Sequence, residues 1–327
     1  MLNKTLKELL ESPVISEIAP DAISKWDLSK EKFYNWTLQE IKDKMGWKTL
    51  AKGFTALFDA ANKGNYYYNL YSKEECVNHQ AKENANFVYF PCNDAHANEN
   101  PFIFLIPGGG FVNVWNLTEG WPVAKIFNEL GYHVFILTYQ VGVKASAVKA
   151  MDDIARAMKI IHDKKDEFGV NPDYYITCGF SAGGYIACLW NTEVGYPKFD
   201  ICKPMACFPI YPVTSYRIIN AEEWDEGEDK DEFARVGVGV DMEDACNSCF
   251  EIPEHVEGFP MTALFLAAED KLVDPEHSKM LADALHKANI PCRLEIGPTG
   301  GHGFADGVGM CMEGWPERAI HWYESII

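Results

Sequence analysis

Long apolar runs are missing from this 327-residue chain. Its apolar stretches, such as Phe102–Ile106, are strand-sized and far short of the ~20 residues that cross a bilayer. A membrane-spanning helix is therefore not expected. Basic residues are also scarce: 29 Lys and Arg face 48 Asp and Glu, for a formal net charge of −19. Nucleic acids and anionic membrane surfaces bind through Lys and Arg, so neither is an expected partner. Nor do ten cysteines in a chain this long make a disulfide scaffold. Cys178, Cys188 and Cys207 lie in apolar runs that suit buried free thiols. Cys246 and Cys249 form a lone C-x-x-C without a second pair at zinc spacing, so no metal is expected there. Residues 1–11 alternate charged and apolar side chains like an amphipathic helix, without the apolar core of a signal peptide. These absences predict a cytoplasmic protein.

What is present is an alternation of short apolar runs and amphipathic helices. Residues 1–70 carry helical spacing only. Trp26, Phe33, Trp36, Ile41, Met45, Trp47, Leu50, Phe54 and Phe58 recur three or four apart, which predicts a helical segment packed on the main domain. From about residue 85 the rhythm changes. Strands are expected at 87–90, 102–106, 133–138, 174–178, 205–208, 262–267 and 292–296. Helices are expected at 123–130, 148–161, 182–190 and 275–288, with a last one opened by Pro316. This order predicts an α/β domain over 71–327, with a mainly parallel sheet and helices on both faces. One long insertion, about 213–258, interrupts it. Its stretch 222–232 is almost wholly acidic, which suits a solvated face or a lid.

Four local patterns carry chemistry. Gly179-Phe180-Ser181-Ala182-Gly183 lies between an apolar strand and a helix. A serine hydroxyl is a poor nucleophile unless exposed, aligned with a base and close to donors for the oxyanion. A sharp strand-to-helix turn exposes it, and glycines two before and two after relieve the resulting crowding. Pro107-Gly108-Gly109-Gly110 follows the strand Phe102–Ile106. Three glycines there let amide N–H groups converge on one point, as an oxyanion needs. Gly300-Gly301-His302-Gly303 places a histidine on a loop free to bring its ring to the serine. Asp270, just after the strand at 262–267, is placed to hold the tautomer of that histidine. Asp274 precedes Pro275 and is the alternative acid, or else a helix cap. Phe111, Trp115 and Phe180 are the expected pocket walls, and the aromatic N-terminal segment is a candidate cover.

Together these motifs resemble the α/β-hydrolase superfamily, in particular its esterase and lipase branch, similar to hormone-sensitive lipase and bacterial acetylesterases. Ser181-Ala-Gly-Gly184 and His302-Gly-Phe304 carry the likeness. Pro107 stands where that branch has histidine. The resemblance covers about residues 85–327. It implies a Ser181–His302–Asp270 triad, oxyanion donors at Gly109, Gly110 and Ala182, and a serine carboxylesterase acting on small, short-chain esters. Acyl transfer of this kind needs no metal or organic cofactor, and its only required partner is a small-molecule ester. Alternatives are a carbohydrate acetyl- or feruloyl esterase, a peptidase of the same fold, and, from another class, a ligand-binding hydrolase homologue without activity.

Overall fold

Apolar runs that alternate in side-chain direction become the strands of one eight-stranded sheet in the computed structural model, which describes residues 1–18, 32–64, 66–219 and 230–327. The strands are β1 (Tyr67–Asn69), β2 (Asn86–Phe90), β3 (Phe102–Ile106), β4 (Val134–Thr138), β5 (Tyr175–Phe180), β6 (Ala206–Ile210), β7 (Met261–Ala267) and β8 (Cys292–Gly297). Their spatial order is β1-β2-β4-β3-β5-β6-β7-β8. The pairs β1–β2 and β2–β4 are antiparallel. The remaining neighbours are parallel. The expected mainly parallel sheet is thus the observed one.

Both faces of the sheet are covered. Strands β2 to β6 are buried along their whole length, as near-continuous apolar runs must be when helices cover both sides. Successive side chains go to opposite layers. Phe102, Phe104 and Ile106 of β3 join one core with the helices Ser146–Asp163, Ser181–Trp190 and Glu276–Lys287. Ile103 and Leu105 join the other, with the helices Trp121–Glu129 and Trp315–Glu324.

The N-terminal segment packs on that second layer. Its helices Leu38–Met45 and Leu50–Lys63 bury Leu38, Ile41, Leu50, Phe54 and Leu57. Phe54 packs on Trp121, with ring centroids 5.4 Å apart, and Gly53 lies so close to Pro122 that a Cβ there would overlap the proline ring. Leu38–Met45 begins with a capping box between Thr37 and Glu40 and stops at Gly46 in the left-handed region.

Two expectations need adjustment. The region before residue 70 does contain a strand, the three-residue β1, which was too short and too aromatic to separate from the helical spacing around it. The expected helical position of Trp26 and most of the acidic stretch 222–232 lie outside the described residues. The described residues resume at the helix Lys230–Gly237. Among the described residues, no helix is long and apolar enough to cross a membrane. All ten cysteines are free thiols, Cys246 and Cys249 included.

Candidate active site

The central strand β5 ends at Phe180, and the next residue begins the helix Ser181–Trp190 without a connecting loop. So abrupt a reversal forces Ser181 to φ +50°, a region that L-residues avoid. It also crowds the flanking glycines. A Cβ on Gly179 would strike the carbonyl oxygen of Gly183, and one on Gly183 would strike the carbonyls of Ile106 and Pro107. The glycine spacing read from sequence therefore has a direct steric cause. Phe111, Tyr211 and Ala305, which all border this region, also have positive φ. Backbone strain of this kind collects where the surrounding structure over-determines it, as functional sites do.

Three separate segments meet at Ser181. The His302 Nε2 lies 2.9 Å from Ser181 Oγ, and its Nδ1 lies 2.8 Å from Asp270 Oδ2. A carboxylate only accepts, so the ring proton sits on Nδ1 and Nε2 is left to accept from the serine hydroxyl. The other oxygen of Asp270 accepts the N–H groups of Leu272 and Val273, both at 3.0 Å. These bonds fix the carboxylate, whose side chain is 1% exposed. Asp274 does something different. Its Oδ1 accepts the Glu276 N–H at 2.8 Å, at the start of the helix Glu276–Lys287.

Beside the serine, the loop after β3 curls back on itself. Gly109 C=O accepts the N–H groups of Val112 and Asn113, and Gly108 C=O accepts that of Trp115. Gly109, at φ +131°, has no room for a Cβ against Asn113. Gly109, Gly110 and Ala182 all border the same cavity as Ser181 and His302. Its volume is about 540 Å³, within the usual range for a small-molecule site.

The cavity walls differ from those expected. Trp115 lines it; Phe111 and Phe180 do not. Phe180, the last residue of β5, points into the opposite core layer, against Tyr211 and Trp315. Phe111 is fully buried against Tyr185 and Phe233. The walls come instead from Trp47, Val213, Ile218, Ile219, Phe233 and Leu272. Trp47 belongs to the N-terminal segment. A hydrogen bond between Thr49 and the Asp306 carboxylate ties that segment to the histidine loop. Ile218, Ile219 and Phe233 lie within the insertion expected at about 213–258.

Sequence reasoning also passed over Glu119. It is 4% exposed and borders the cavity. Its Oε2 accepts the Gly108 N–H at 2.7 Å, and its Oε1 accepts the Tyr211 hydroxyl at 2.9 Å. Burial holds its pKa above the usual carboxylate range, an effect that the bonds from Gly108 and Tyr211 and the nearby His302 offset only in part.

A second histidine at the cavity, this one buried, makes a pH prediction. His277 lines the cavity, and its Nδ1 accepts the N–H groups of Thr214 and Ser215, each at 3.2 Å. Burial brings its pKa down to about 4 from an ordinary 6.5, with Asp274 and Asp270 opposing. Protonating Nδ1 would break both bonds. The unfolded chain takes up the proton first, so the stability tied to neutral His277 is complete above pH 6.5 and drains as pH falls towards 4. The loss is at most about 3 kcal/mol. His277→Asn keeps an acceptor but does not titrate. Over that interval the wild type is expected to lose unfolding free energy faster than the variant; parallel curves would contradict this role for His277.

Residues 103–306 match the family model for the alpha/beta hydrolase fold. That is more than half of the chain, and the chain belongs to this family. It is similar to endo-1,4-beta-xylanase B of Butyrivibrio fibrisolvens, at 25% identity over 225 residues, covering 65% of this chain and 34% of that protein. An acetylxylan esterase of Xylanibacter ruminicola is 26% identical over 220 residues, covering 64% of this chain and 42% of that protein. The chain thus spans only about a third to two-fifths of the length of these curated relatives. Among solved structures, an acetyl ester-xyloside bifunctional hydrolase from Caldicellulosiruptor lactoaceticus superposes with a TM-score of 0.64 at 24% identity, over 80% of this chain and 96% of that one. This last likeness speaks to the fold alone.

Proposed function

We propose that this protein is a serine carboxylesterase that hydrolyses small, short-chain acyl esters. The observation that carries the reading is the unbroken line Asp270–His302–Ser181, with both bonds under 3 Å. In the proposed reaction, Ser181 Oγ attacks the ester carbonyl as its proton passes to His302 Nε2. The imidazolium that forms is held by Asp270. The amides of Gly109, Gly110 and Ala182 receive the oxyanion. His302 then gives the proton to the departing alcohol, and the ester bond breaks to leave an acyl-serine. Water, deprotonated by His302, attacks this acyl-enzyme and frees the acid and Ser181. Apart from the ester and water, these steps draw on side chains and amides of the chain. Its composition leads us to place the reaction in the cytoplasm. Stoichiometric labelling of Ser181 by a fluorophosphonate tests the assignment, and an unlabelled folded protein would refute it.

Acyl length follows from the walls. Trp47, Trp115 and Phe233 bound a cavity of limited volume, which favours short chains. Acetyl to butyryl p-nitrophenyl esters are expected to exceed decanoyl by at least about tenfold in kcat/KM, a difference of about 1.4 kcal/mol in transition-state binding. Each methylene that finds room would instead gain about 0.8 kcal/mol. A kcat/KM that climbs steadily to decanoate would show an open channel.

A second reading, an esterase of acetylated carbohydrates, draws on Trp47 and Trp115. Indole faces at a cavity wall suit stacking on a sugar ring. Relatives named for acetylxylan and xylan support it. An acetylated xylo-oligosaccharide, assayed beside p-nitrophenyl acetate, separates the two readings.

A further inference from the structure

Glu119 is a buried carboxylate that the acyl-transfer steps leave unused. It lies on the turn Asn116–Gly120, away in sequence from every proposed reacting group. Its two oxygens bind two different parts of the site. One accepts the Gly108 N–H and so fixes the peptide directly before the oxyanion glycines. The other accepts the Tyr211 hydroxyl, which in turn accepts the Ala305 N–H at 3.2 Å, three residues beyond His302. The Tyr211 ring also packs edge-on against His302 and Phe304, each with centroids 4.7 Å away. Tyr211 holds this place at a positive φ, so its backbone is constrained to present the ring and hydroxyl here. The oxyanion loop and the histidine loop are therefore coupled through one carboxylate and one phenol.

We propose that Glu119 is a positioning residue, holding the oxyanion loop through Gly108 and the histidine loop through Tyr211. This deepens the esterase reading and rests on it. The charged and titratable groups around His302 are Asp270 after β7, Tyr211 after β6 and Glu119 itself; Asp274 and His277 border the same cavity. Of these, Glu119 and Tyr211 together connect the two loops. Glutamine at 119 can still accept from Gly108 but brings no charge, and its amide nitrogen cannot accept from Tyr211.

The test compares wild type with Glu119→Gln, Tyr211→Phe and the double variant, using kcat and KM for p-nitrophenyl acetate together with thermal melting. Fluorophosphonate labelling of wild-type Ser181 checks the underlying reading separately: without labelling, the esterase reading fails before Glu119 is at issue. For Glu119→Gln, kcat is expected to fall by roughly 30- to 100-fold, on the scale of one misplaced oxyanion donor, with KM within about threefold of wild type. Tyr211→Phe keeps the ring and the Gly108 bond, and should lower kcat by roughly tenfold. The double variant should lose less than the product of the two single losses, as residues acting in one chain do. A folded Glu119→Gln protein with kcat within twofold of wild type overturns the proposal. So does a loss carried by KM rather than kcat, or a double variant whose loss is the full product of the two single losses, either of which would mark a structural role outside the coupled loops. If Glu119→Gln fails to fold, Tyr211→Phe decides: unchanged kcat in that variant overturns the coupling of the two loops.

Discussion

Replacing Ser181 by alanine is expected to lower esterase kcat by about 10⁴-fold or more while leaving the fold in place. The hydroxyl is one small group at the start of a helix, and its described hydrogen bond is to His302. The left-handed backbone at this position is imposed by the packing of Gly179 and Gly183 rather than by the serine side chain. Alanine tolerates that conformation about as poorly as serine does, so melting should shift by only a few degrees. Residual activity of a tenth of the wild type would exclude Ser181 as the nucleophile.

A pair of substitutions separates the two aspartates. Asp270→Asn is expected to lower kcat by roughly 10³- to 10⁴-fold, because an amide can donate to His302 and turn the ring towards the wrong tautomer. Its other oxygen holds Leu272 and Val273, so some stability should be lost as well. Asp274→Asn should cost less than about 1 kcal/mol, because its amide oxygen can still accept the Glu276 N–H at the helix start, with kcat nearly unchanged. Kinetic effects in the opposite order would reassign the acid to Asp274.

The parts of the site that were legible in sequence are those where backbone sterics leave few residue types possible. The spacing Gly179–Ser181–Gly183 records a strand-to-helix reversal that admits no Cβ on either side, so the pattern and the geometry are one fact. The sheet was legible because strands buried on both faces must be apolar throughout. The pocket walls were not. Neighbours of Ser181 and Gly110 in sequence were expected beside them in space, yet side chains alternate across a strand, and Phe180 went to the other layer. Phe111, turned by its own positive φ, went into the core. Glu119 left no signal because a lone glutamate on a turn is usually solvated; only the fold brings Gly108 and Tyr211 to it. Trp47 was read as one aromatic of a helical face, and its place on the cavity depends on how the N-terminal helices dock.

The docking of Trp47 also divides the chain's heritable information. Ser181, Asp270, His302, Gly109 and Gly110 all fall within residues 103–306, the span shared with the family. One wall of the cavity is supplied from outside that span. A lineage can therefore redraw the shape of its substrate by drifting at position 47 and its supports, such as Phe33, whose ring meets Trp47 edge-on at 5.4 Å, while the machinery proposed for bond cleavage stays under separate selection. Chemistry and choice of ester are then free to evolve at different rates within one polypeptide.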